Sequence, residues 1–132
     1  MRSARAPLCS LALLAAASAA AYPQGMTGAA RDGCDSCHGS SVTDAVQVTL
    51  TGPSSLDAGT RGDYVLSVRG GPARVAGFDV AVSRGGGVLE PGPDSQLAGD
   101  DATHLRPEPF DGGVARFHFT LRATEQSRTV ST

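Results

Sequence analysis

The sequence predicts an all-β sandwich. Beyond about residue 44, apolar and polar residues alternate over short runs, the period of a strand with one buried face. Turn signals rich in Gly and Pro separate those runs roughly every eight to twelve residues, the spacing of a sandwich. No helical period of useful length follows the N-terminal apolar stretch. Composition agrees: 17 Gly and 8 Pro in 132 residues favour short strands and turns over a helical bundle, and this length suits one domain.

The elements follow in order. Val46, Val48 and Leu50 alternate with Gln47 and Thr49, and Gly52-Pro53-Ser54-Ser55 turns the chain. A turn at Gly59-Thr60-Arg61-Gly62 leads into a second strand with Tyr64, Leu66 and Val68 on one face, ended by Gly70-Gly71-Pro72. Arg61-Gly62-Asp63 matches the integrin-binding tripeptide, yet a tight turn accounts for it. A third strand spans Val75–Ser83, with Phe78, Val80 and Val82 inward. After Gly85-Gly86-Gly87 come a short Val88-Leu89 segment and Pro91-Gly92-Pro93. Residues 94–112 read as polar and irregular, anchored by Leu97, Leu105 and Phe110. In the last clear strand Ala115, Phe117, Phe119 and Leu121 face inward; Val114, Arg116, His118 and Thr120 face outward. So few large core residues predict modest stability.

Residues 1–21 read as a signal peptide. Arg2 and Arg5 give a positive start, Leu8 to Ala21 is apolar, and Ala19-Ala20-Ala21 suits cleavage after Ala21. The run is too short for a permanent membrane helix, so no transmembrane segment is expected in the mature chain. Cys9 leaves with it, as do Arg2 and Arg5, taking the formal charge from −2 to about −4. The expected location is exported: bacterial periplasm or cell surface. All 11 basic residues are Arg and none form a basic run, which argues against a nucleic-acid partner.

Residues 22–43 read as an extended arm carrying Cys34-Asp35-Ser36-Cys37-His38. Two thiols three positions apart and an adjacent imidazole are the attachment pattern for c-type haem. Each thiol adds to one vinyl group, and His38 lies beneath the iron as the proximal ligand. The same cysteines could close as a disulfide, or form half of a zinc site with His38. A thioredoxin-like pair belongs near a βαβ pattern, and none is visible. The trailing His favours haem, since a disulfide has no use for it; export suits either chemistry.

Met26 precedes the motif and no Met follows it, so iron here would be bis-His or five-coordinate. His104, in the irregular stretch, is the candidate second metal ligand beside His38; a hydrogen-bonded loop His is the plainer alternative. His118 points outward from a strand between Phe117 and Phe119 and is the weaker candidate. Asp94, Asp100 and Asp101 fit no EF-hand spacing and read as a solvated acidic loop. No Ser-His-Asp order, paired Glu or phosphate loop is present, so no enzyme activity is expected.

Several short segments together carry a resemblance. They are Gly25-Met26-Thr27-Gly28, Gly33-Cys34-Asp35-Ser36-Cys37-His38, Val48-Thr49-Leu50-Thr51-Gly52-Pro53, Gly77-Phe78, and Thr103-His104 with Pro107. This pattern, over roughly residues 24 to 122, resembles the bacterial choice-of-anchor V domain family, which is similar to the animal reeler domain. The resemblance implies an immunoglobulin-like (reeler-like) β-sandwich acting as a surface or periplasmic module. Its Cys-plus-His stretch falls on Cys34, Cys37 and His38, and its Thr-His segment on Thr103 and His104. Family members usually continue with at least one more strand, so the 44–132 domain is expected to be C-terminally short, its last strand missing or stunted. Two functions follow: an exported protein with covalent haem c, exchanging electrons with a redox partner protein, or a non-enzymatic cell-surface module with a Cys34–Cys37 disulfide.

Overall fold

Alternation builds the first sheet as expected. The computed structural model describes residues 22–32 and 44–125. The strands β1 (Val46–Thr51), β2 (Arg61–Gly70), β5 (Val88–Pro91) and β9 (Val114–Arg122) form one antiparallel sheet in the order β1-β2-β9-β5. Its register lines Leu50 with Leu66 and Leu66 with Phe117, so one face carries a continuous apolar row. Tripeptide Arg61-Gly62-Asp63 lies within β2 rather than in a turn. Gly62 is buried there, so close to Leu56 and Pro53 that a side chain would collide with both. The turn comes earlier, where the Thr60 amide donates to the Asp57 carbonyl at 3.0 Å.

A second layer covers this sheet. The run Val75–Ser83 is not one strand but two short ones, β3 (Val75–Ala76) and β4 (Asp79–Val80), broken at Gly77-Phe78. The side-chain directions hold across the break: Phe78 is buried, and Val80 and Val82 pack against the core. Residues 94–112 are not irregular. They form β6 (Ser95–Ala98), β7 (Asp101–His104) and β8 (Glu108–Pro109); β7 sits between β4 and β6, and β8 pairs with β3. The result is an all-β sandwich with antiparallel sheets. No helix among the described residues is long and apolar enough to cross a membrane.

Aromatic rings join the layers. Phe78 meets Phe117 with ring centroids 4.6 Å apart, and Tyr64 stacks on Phe119 at 5.6 Å. Ala102, Ala115 and Phe117 are fully buried between them. Val114, expected to face outward, is buried too, its amide donating to the Asp111 carbonyl. At the other edge, β1 is exposed along its whole length, and Val48 retains 62% of its surface. Its apolar face continues the core row, but no described residue covers it.

Burial therefore ranks the positions. Phe117→Ala should cost about 3–5 kcal/mol, the usual range for a buried aromatic ring. Val48→Ala, on the uncovered edge, should stay within about 0.5 kcal/mol. Urea midpoints of the two variants measure this, and equal losses would show that β1 is covered in solution.

Candidate functional site

The segment ahead of the cysteine motif is not a free arm. Residues 22–32 lie along the outer face of β7 and end in one helical turn, α1 (Ala29–Asp32). Strand β7 explains why they stay there. Ala102 points into the core, while Asp101 and Thr103 point the opposite way, yet all four residues of the strand are buried. Buried polar groups require partners, and the arm supplies them. Thr27 Oγ1 donates to Asp101 Oδ2 at 2.8 Å, and the Gly28 amide donates to the same oxygen at 2.9 Å. The Met26 amide donates to Thr103 Oγ1 at 3.3 Å, and Thr103 Oγ1 donates to the Phe78 carbonyl at 2.7 Å. From β6, Gln96 Nε2 donates to the Gln24 carbonyl.

His104 closes the upstream end. The Phe78 amide donates to its Nδ1 at 3.1 Å, which assigns the proton to Nε2, and Nε2 donates to the Tyr22 carbonyl at 3.1 Å. The ring is 8% exposed. This corrects the placing of His104 in an irregular stretch: it is the last residue of β7, and with the arm docked neither ring nitrogen is free for iron. Two glycines make room for the contact. Gly25 has φ +76°, and a Cβ there would strike the Thr103 side chain; a Cβ on Gly77 would come within 2.5 Å of His104 Cε1. Gly25–Gly28, Gly77-Phe78 and Thr103-His104, scattered along the sequence, thus meet in one cluster.

Two carboxylates hold α1. The Ala30 amide donates to Asp79 Oδ2 at 2.9 Å, and Arg31 Nη2 stands 3.0 Å from Asp101 Oδ1 as an ion pair without hydrogen-bond alignment. Asp79 Oδ1 is buried with no hydrogen-bond partner. The two carboxyls are driven apart. The Gly28 amide, then the Thr27 hydroxyl, hold Asp101 below the usual carboxylate range against the opposing effect of burial. Burial pushes Asp79 up, Asp101 adding to it and the Ala30 amide opposing. The expected solvated acidic loop is therefore corrected. Asp101 is buried, Asp94 is bound to His118, and only Asp100 is exposed on a turn. His118 does face outward as expected, its Nδ1 2.6 Å from Asp94 Oδ2 and its side chain 45% exposed.

Cys34, Cys37 and His38 lie outside the described residues. Among the described residues no group of three or more His, Cys, Asp or Glu could hold a metal ion. Beside α1, however, a cleft of about 670 Å³ opens between the 82–88 segment, β6 and the turn into β7. Arg31, Arg84, Val88, Leu97 and Asp100 line it above the buried Leu89. Its lining mixes polar and apolar surface, and Arg31 at its edge is paired with Asp101. No family model, curated protein or solved structure matches the chain.

The carboxylate pair gives opposite expectations for two similar substitutions. Asp101→Asn should cost about 1–3 kcal/mol at neutral pH, the range for breaking a buried hydrogen-bonded group. Asp79→Asn should cost nothing there and add stability, because it keeps an acceptor for Ala30 and removes a charge that folding disfavours. The pH dependence follows from the signs. The Asp101 contribution is present above the ordinary carboxylate value of about 3.9 and is lost as pH falls through its lowered folded value. The Asp79 contribution is present below the ordinary value and is lost as pH rises through its raised one. The stability of the wild type relative to Asp79→Asn should therefore decline as pH rises above 3.8. Urea unfolding at several pH values reads both, and equal losses for the two variants at neutral pH would refute the assignment.

Proposed function

We propose that this chain is an exported β-sandwich that carries a covalent c-type haem on Cys34 and Cys37, with His38 as proximal ligand, and exchanges electrons with a partner protein. One observation carries the reading: Cys34-Asp35-Ser36-Cys37-His38 follows directly after a helical turn pinned to two carboxylates of the sandwich. The bound group supplies a one-electron change at iron. The protein's own residues supply position. Asp101, Thr103 and His104 fix residues 22–28, and Asp79 fixes Ala30, so the motif leaves the domain from a set point. A site on a rigid scaffold holds its reacting group more precisely than one on a free tail.

The immunoglobulin-like, reeler-like classification belongs to this proposal, resting on the choice-of-anchor V segments quoted above. So do residues 1–21 as a signal peptide and the periplasmic or surface location. No catalytic role is proposed for any residue. The second ligand is not assigned to His104, whose Nε2 proton is held by Tyr22.

A pyridine haemochrome spectrum, taken after expression in a strain that matures cytochromes c, tests the proposal. The expected result is haem that survives denaturation, is lost with Cys37→Ser, and keeps its spin state in His104→Ala. Colourless protein without free thiols would replace this reading with a surface module stapled by a Cys34–Cys37 disulfide.

A further inference from the structure

We propose that β1 is a self-association edge: two copies of this chain pair their β1 strands antiparallel and join their four-stranded sheets into one continuous sheet.

The two edges of that sheet are built differently. At the β5 edge the backbone is guarded. Pro91 and Pro93 have no amide to offer, and Glu90 holds Arg61 and Arg122 there. Where β5 ends, the His118 amide donates to Asp94 Oδ1 at 2.8 Å, and Ser95 Oγ donates to the His118 carbonyl at 2.8 Å. Side chains thus stand in for a further strand. Strand β1 has none of these devices. Among the described residues it has a strand on one side alone, and its register with β2 runs unbroken from Val46↔Gly70 to Thr51↔Val65. Val46-Gln47-Val48-Thr49-Leu50-Thr51 contains no charge, Pro or Gly. An edge left flat, uncharged and unbulged is a template for another strand.

The chemistry of β1 names the occupant. Val46, Val48 and Leu50 keep 38%, 62% and 55% of their surface in water, on the face that continues the core row. A partner strand needs apolar side chains at every second position to extend that row. Residues 126–132 hold one apolar side chain, Val130. A second β1 holds three in the same alternation. Antiparallel pairing about Val48 sets Val46 against Leu50 of the other copy, and Val48 against its own counterpart. Gln47 then meets Thr49 of the other copy on the opposite face, an amide beside a hydroxyl. Directly opposed pairs of this kind stabilise a sheet.

This register brings no like charges together. Asp44 falls opposite Gly52 of the other copy, and Arg69 stays one strand back, beside Gln47. The contact is isologous, so it closes at two copies. A six-residue edge buries less than the about 800 Å² that each partner gives to a standard stable complex. The pair is therefore a weak one, formed as concentration rises and open in dilute solution.

Sedimentation equilibrium of the mature chain, over a concentration series and with a thiol reductant to prevent disulfides between copies, measures the pairing. The expected mass rises from one chain toward two and no further. Over the same range, β1 amides on the side away from β2 gain protection from hydrogen exchange. Val48→Lys and Val48→Glu, both exposed changes, each hold the mass at one chain. Mixing the two variants restores the pair, because opposite charges then meet at the symmetry centre. Leu97→Lys, at an exposed apolar position of β6, leaves the pair intact. A wild-type mass of one chain at every concentration would overturn the proposal, as would growth beyond two. So would a pair that survives either Val48 variant alone, that Leu97→Lys abolishes, or that mixing fails to restore.

Discussion

A buried carboxylate governs this structure. Asp101 has no exposed surface and sits on the outer side of the second layer, where a charge without partners would cost several kcal/mol. Its hydrogen bonds come from Thr27 and Gly28, more than 70 residues away in sequence. Strand β7 and the arm therefore need each other. Without the arm, Asp101 and Thr103 would each lose hydrogen bonds made at the outer face, and His104 would lose its bond to the Tyr22 carbonyl. Without β7, residues 22–32 would have little to hold them, since they contribute almost no apolar burial. Polar contacts place the arm; aromatic contacts between Phe78, Phe117 and Phe119 hold the two layers to each other.

Arm docking also explains what was legible in the sequence. Strands β1, β2 and β9 show because each has one apolar and one polar face, and Phe117 and Phe119 correctly place His118 on the outside. Strand β7 does not show. Asp101-Ala102-Thr103-His104 has polar residues on both faces, so its alternation reads as loop. Only a covering segment distant in sequence makes those residues interior, and no local pattern encodes that. The same gap misplaced His104, which was read as part of the irregular stretch. One signal was available: Gly25 and Gly77 mark close approach of backbone to side chain, and both approaches turn out to be to β7. The exposure of β1 was equally invisible, because its pattern shows an apolar face but not whether anything covers it.

The proposed function places chemistry at the end of this device. A motif on a free tail would sample many positions, and electron exchange with a partner depends on where the group is held. Here the chain ahead of the motif is held through Arg31, which pairs with Asp101. The sandwich then serves as a mount. Its inner core supplies stability, and its outer polar face aligns the arm. This division agrees with the general pattern in which loops carry function and strands position them.

Hydrogen exchange of the Met26, Gly28 and Ala30 amides tests the docked arm most directly. Each donates to a side chain of the second layer, at 3.3, 2.9 and 2.9 Å. If the arm is integral to the fold, these amides are protected alongside those of β7, and Asp101→Ala, which leaves no acceptor, releases the Gly28 amide while the Phe117 amide in β9 stays protected. Exchange of all three at the rate of an unstructured peptide in the wild-type protein would contradict the account.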